Sequence, residues 1–188
     1  MIPTHHPSDA TLADYASGAL RAPFSNVVSA HLGFCPHCRS AVGRLEAVGF
    51  AMIDALPPSP LAPGRLGRAM AALNETDPSD NEPAGVVFQA ARRGSSVHLA
   101  RDPTGSAMLY LLRLRPAEQV PPHGHAGLEF TTVLEGAYRD GDATYAVGDF
   151  CELDASHTHQ TEVVSDADCV CMIASAGPTA PDVARLSG

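Results

Sequence analysis

The stretch His123-Gly124-His125-Ala126-Gly127-Leu128-Glu129-Phe130-Thr131-Thr132-Val133-Leu134-Glu135-Gly136 decides how the second half of the chain is read. Two histidines stand two residues apart, and a glutamate follows four residues later. In an extended strand alternate side chains share a face, so His123, His125 and Glu129 can converge on one ion. Imidazole nitrogens with a carboxylate oxygen suit Zn, Fe, Mn or Ni. A fourth ligand has to come from elsewhere, and His157-Thr158-His159 offers two candidates that spacing alone does not separate.

Working outward, residues 86–91, 97–100, 107–115, 128–138, 143–147, 150–153, 159–164 and 169–175 read as strands. Turn signals such as Asp102-Pro103-Thr104-Gly105 and Asp140-Gly141-Asp142 separate them. Short strands at this spacing predict an all-β sandwich or jelly-roll barrel. The His-x-His, Glu and Gly136 spacing resembles the first cupin motif, and Gly148-Asp149 followed by His159 resembles the second. The resemblance implies a metal-binding cupin barrel over residues 86–176. Cys169 and Cys171 alternate onto one strand face. They read either as two small core residues or as a thiol pair near the metal, open to oxidation.

The first half has a different character. Ser8-Asp9 can cap a helix that carries Leu12, Tyr15, Ala16 and Leu20 at helical spacing. Arg21-Ala22-Pro23 breaks the pattern. Ser25 can then cap a second helix with Val28, His31, Leu32 and Cys35 on one stripe. Pro36 ends that helix or starts the next. A third pattern runs through Val42, Leu45, Gly49, Met52, Ile53 and Leu56, and a fourth through Leu66, Met70 and Leu73. Residues 75–85 are acidic and proline-bearing, which is linker composition. The chain therefore reads as multidomain: a small all-α unit over 1–74, a linker over 75–85, the all-β unit over 86–176, and a flexible tail over 177–188.

His31, Cys35 and Cys38 form the other concentration of ligands. His31 and Cys35 are four apart and share a helix face. A turn at Pro36 can swing Cys38 back beside Cys35. Such a set suits tetrahedral Zn and needs a fourth ligand, which His5 or His6 could supply. A closed site of this kind contributes on the order of 10 kcal/mol of apparent folding free energy in a small unit. The same residues have rival readings: two buried cysteines with a surface histidine, a redox switch, or the Cys-x-x-Cys of a thiol–disulfide enzyme.

The 188 residues carry a net charge of -9 and a pI near 5.3, which argues against direct nucleic-acid binding and fits a basic protein partner. No stretch is long and apolar enough to span a membrane, and the N-terminal residues lack the pattern of a signal peptide. Five cysteines, an odd number, point to a reducing cytoplasm rather than a disulfide framework.

His5-His6-Pro7-Ser8-Asp9-Ala10, Tyr15-Ala16, Val27-Val28, His31-Leu32, the His-x3-Cys-x2-Cys run and Asp168-Cys169-Val170-Cys171 together resemble the ChrR-like zinc-binding anti-sigma factors, in which a cupin domain follows a helical zinc domain. The resemblance implies two Zn per chain. His6, His31, Cys35 and Cys38 would hold the first, and His123, His125, Glu129 and His159 the second. It implies an extracytoplasmic-function sigma factor as partner, released on an oxidative signal such as singlet oxygen or a derived peroxide, and no catalytic residues. Leu12, Tyr15, Val27 and Val28 are then expected to offer the partner-binding surface, because so small a unit cannot bury all its apolar residues. The other reading is a metal-dependent cupin enzyme, a dioxygenase or isomerase with a helical accessory domain, since such a ligand set can leave coordination positions open.

Overall fold

The computed structural model describes residues 2–75, 89–90, 95–101 and 104–176. Most of the expected linker at 75–85, part of the strand expected over 86–91, and the tail at 177–188 lie outside these residues. Four helices come first: α1 (Asp9–Ala16), α2 (Ala22–Phe34), α3 (Pro36–Asp54) and α4 (Arg65–Glu75). The strands follow: β1 (Gln89–Ala90), β2 (Ser95–Arg101), β3 (Ala107–Leu114), β4 (Gln119–Gly124), β5 (Glu129–Glu135), β6 (Ala137–Asp140), β7 (Ala143–Ala146), β8 (Phe150–Leu153), β9 (Thr158–Val163) and β10 (Cys169–Ala176). They form two antiparallel sheets, ordered β1-β2-β3-β10-β5-β8 and β4-β9-β6-β7. The fold is a small helical unit followed by an all-β cupin barrel.

Ser8 caps α1 by accepting the Thr11 N–H at 3.2 Å. The start of α2 differs from expectation. Ser25 is not its cap; the helix begins at Ala22, with Pro23 in the first turn and no side-chain cap from Arg21. A proline costs nothing there, because the N–H it lacks would have no partner. Pro36 does the same for α3, whose N-cap is Cys35.

Phe24, Val27, Val28 and His31 form one stripe of α2, and that stripe lies on the six-stranded sheet. The Phe24 ring meets Phe130 edge-on, with centroids 5.0 Å apart, and the Thr132 hydroxyl donates to the Val27 carbonyl at 2.9 Å. Helices and sheet share one apolar core that runs from Leu12 to Phe150 and Ala174. Each fully buried valine or phenylalanine in it contributes about 1.5–3 kcal/mol. The surface expected to stay open for a partner is therefore closed in this structure. Val27 and Val28 are 0% exposed, Leu12 is buried, and Tyr15 is half-buried with its hydroxyl 2.8 Å from Ser29.

The strand expected over 128–138 is broken at Gly136, which has φ +70°. A Cβ there would stand 2.5 Å from the Asp168 carbonyl oxygen and 2.9 Å from Cys169 Cα. Only glycine permits that approach. The break sends β5 into one sheet and β6 into the other. A strand outside the ranges read from the sequence, β4, carries His123 opposite His159 across a bulge that begins after Val120.

Candidate metal centres

The first cluster lies where α2 meets α3. His6, His31, Cys35 and Cys38 each place one ligand atom within 4.8 Å of the others. His6 Nδ1 is 3.5 Å from both the Cys35 and Cys38 sulfurs. Ligands bound tetrahedrally to zinc at about 2.3 Å for sulfur and about 2.0 Å for nitrogen stand roughly 3.5 Å apart. Cys35 closes α2 and caps α3, accepting the Cys38 N–H on its sulfur. The two helices thus share one thiol.

His31 is fully buried. Its Nδ1–H donates to the Gly148 carbonyl at 2.7 Å, and a carbonyl can only accept. The proton is therefore on Nδ1, and Nε2 keeps a bare lone pair with no partner. Burial holds His31 below the usual histidine value, the Gly148 carbonyl opposing it. Burial first, then hydrogen bonding with Cys35, pushes the Cys38 thiol up to about 12. An orphaned nitrogen and two crowded thiols are each unfavourable alone, and a cation among them removes both costs. The set fits zinc. His5 is outside it: its ring lies tilted against Tyr145, with centroids 4.4 Å apart, and its Nδ1 is 3.5 Å from Asp149 Oδ2.

The second cluster is His123, His125 and His159. His123 comes from the end of β4, His125 from the loop after it, and His159 from β9. The residues do not alternate along one strand as expected; a strand end, a loop and a neighbouring strand bring them together. His159 Nε2 is 2.8 Å from His125 Nε2 and 3.1 Å from His123 Nε2. His123 Nδ1 donates to the Pro121 carbonyl, and His159 Nδ1 to Asp140 Oδ2 at 2.8 Å. In their neutral forms both of those rings present a bare Nε2 to each other. Two lone pairs facing each other at that distance fit a shared cation, and a carboxylate behind a histidine is a usual outer partner of a metal ligand. Burial, then the facing His159 and His123 rings, push His125 down to about 4.

Glu129 begins β5 beside this group but is not one of its members. Its Oε2 is 3.2 Å from His125 Nδ1, out of hydrogen-bonding alignment, and burial pushes its carboxyl up to about 8. His157 is turned outward, with Nδ1 2.9 Å from Asp154. An apolar cavity of about 60 Å³ runs from His123, Glu129 and His159 into the barrel, past Tyr138 and Ile173. Cys169 and Cys171 line it with their sulfurs 3.8 Å apart. Hydrogen bonding with Cys169, then burial, hold the Cys171 thiol well above its usual value.

Sequence reasoning missed Asp140, read only as a turn residue, and the Gly148 carbonyl, because outer partners follow from tertiary contact rather than spacing. It also marked apolar stripes on α3 and α4 without saying what covers them. Leu45, Val48, Phe50, Met52, Ile53 and Leu56, with Leu66 and Met70, are exposed. The signal was available: so many apolar residues exceed what a short helical unit can cover.

A family model of the ChrR cupin-like domain matches residues 86–178. The chain is 36% identical over 194 residues to the anti-sigma-E factor ChrR of Cereibacter sphaeroides, covering 93% of this chain and 90% of that protein. It superposes at a TM-score of 0.77 and 34% identity on a chain of the crystal structure of Rhodobacter sphaeroides SigE in complex with the anti-sigma ChrR, over 91% of this chain and 98% of that one. No described helix is long and apolar enough to cross a membrane. Since the likeness runs through the helices and the barrel alike, the chain belongs to the ChrR family of anti-sigma factors.

Proposed function

We propose that this chain is a cytoplasmic anti-sigma factor. Residues 1–74 bind an extracytoplasmic-function sigma factor, residues 75–85 tether them, and the barrel over 86–176 receives the signal that ends the grip. The observation that carries this reading is the exposed apolar row on α3 and α4. Phe50 is 72% exposed, Ile53 66% and Met70 53%. A row of that kind is a partner surface rather than a stable free one. The relative solved with SigE makes a sigma factor the partner of choice.

His6, His31, Cys35 and Cys38 would hold zinc at the root of this surface. When bound, zinc supplies folding free energy and no reaction chemistry. Cys35 belongs to both helix ends, so the direction in which α3 carries its apolar row depends on the site. In the barrel, His123, His125 and His159 would hold the second metal, with Glu129 beside them. Zn is the first choice and Fe, Mn or Ni suit the same nitrogens. The chain is a regulator, not an enzyme. The oxidative signal, singlet oxygen or a peroxide derived from it, is received at this centre or at the Cys169–Cys171 pair. It acts by favouring one state of the complex over the other.

The test is co-expression with the extracytoplasmic-function sigma factors of the same genome, followed by pull-down. One of them should co-purify with the wild-type chain and be lost with Phe50→Asp. Failure of every such factor to bind a folded, metal-loaded chain would rule the reading out.

A further inference from the structure

The turn between β7 and β8 belongs to the barrel, yet it touches the helical metal centre in two ways. Gly148 accepts the Nδ1–H of His31 on its carbonyl at 2.7 Å. Asp149, 3% exposed, accepts the Thr4 N–H at 2.6 Å and the His5 N–H at 2.9 Å on Oδ1, and the Ala146 N–H at 2.8 Å on Oδ2. Phe150 N–H adds a bond to the His5 carbonyl. The segment fixed in this way is the one that delivers His6 to the two sulfurs.

The turn is built for the contact. Gly148 has φ +88°, and a Cβ there would stand 2.7 Å from Phe34 Cβ and 2.8 Å from Pro3 Cγ. The glycine lets the end of α2 and the N-terminal segment close on the turn together. The turn is also anchored to β5, through Gly148 N–H to the Val133 carbonyl and Val133 N–H to the Asp149 carbonyl. It continues the β6–β7 hairpin, whose opposite end holds Asp140 against His159. One hairpin therefore supports ligands of both centres.

We propose that Gly148 and Asp149 are positioning residues of the helical metal centre: the Gly148 carbonyl fixes the tautomer of His31, and the Asp149 carboxylate holds the N-terminal segment that presents His6. This rests on the metal site of the proposed function. It makes the affinity of the helical unit for its metal depend on the conformation of the barrel, which gives a signal in the barrel a route to the grip. Loss of an outer partner of a metal ligand costs about 10- to 100-fold in affinity.

The experiment titrates the full-length apo chain with Co²⁺ against a competing chelator. Thiolate-to-cobalt charge-transfer absorption reports Cys35 and Cys38 alone, because the barrel set has no sulfur; the ligand-field bands of the nitrogen site report the barrel. Asp149→Ala should weaken the thiolate site by about 10- to 100-fold and leave the barrel site within about twofold. Asp149→Asn, which keeps an oxygen for Thr4 and His5 but offers Ala146 N–H a second donor, should fall between. Thiolate-site affinity of Asp149→Ala within twofold of wild type overturns the proposal. So does a parallel loss at both sites that tracks an earlier melt. Should Asp149→Ala fail to fold, Asp149→Asn decides alone, and wild-type affinity in it overturns the proposal. A wild-type chain with no charge-transfer band would instead remove the helical metal site itself.

Discussion

The two histidine clusters of this chain are built from the same side chain to opposite ends. The first joins two sulfurs and two imidazoles at the crossing of α2 and α3, with His31, Cys35 and Cys38 buried and His6 closing the set from the surface. The second gathers three imidazole nitrogens at the mouth of an apolar cavity, with a buried Glu129 and two thiols nearby. Closed sulfur-bearing sets hold structure, while nitrogen sets open to a cavity can meet a small molecule. The difference teaches a division of work: one centre shapes a surface, the other is placed to receive a signal.

The largest expected effect separates the two roles. Cys38→Ala should remove the first metal and most of the order of α3, a loss on the order of 10 kcal/mol of apparent zinc-linked folding free energy. Partner binding should disappear with it, as read by calorimetry, while the barrel still takes up its metal. Next comes the surface alone. Phe50→Asp should lower partner affinity by about 2–4 kcal/mol, the range of an interface hot spot, and leave the melting temperature of the free chain unchanged. An unaltered affinity would move the interface off α3.

Asp140→Ala sharpens the other side of the comparison. It should weaken the barrel metal by about 10- to 100-fold, measured by chelator competition, with partner affinity in the resting state unchanged. The smallest effect concerns pH. Burial would raise the Asp149 carboxyl, but N–H donation from Ala146, His5 and Thr4 outweighs it and holds the value below the ordinary aspartate range. A depressed folded value means that its stabilisation is complete above the ordinary aspartate pKa and is lost as pH falls through the lower folded one. Thermal midpoints of the wild type should therefore drop on acidification in that window, and Asp149→Asn should lack that component.

Local spacing made the ligand types legible. His-x-His with Glu129, and His31 with Cys35 and Cys38, are patterns a few residues long, and caps such as Ser8 are shorter still. What spacing did not reveal was set by contacts distant in sequence. Period-two alternation cannot separate His157 from His159; the separation comes from Asp154 on one side and Asp140 on the other. Pro121-Pro122 hid β4, because prolines rarely enter a strand except at an edge or a bulge, and β4 is both. Val27 and Val28 were read as a free surface because their cover, the sheet face around Phe130 and Thr132, lies a hundred residues away in sequence. The apolar residues of α3 had the opposite fate, since helical periodicity marks a face without saying what meets it.

The most direct test measures metal content and sigma-factor affinity side by side in the wild type, Cys38→Ala and His123→Ala. The account predicts two metals and tight binding in the wild type, one metal and no binding in Cys38→Ala, and one metal with wild-type binding but a blunted oxidant response in His123→Ala. Cys38→Ala that still holds the sigma factor at wild-type affinity would contradict it.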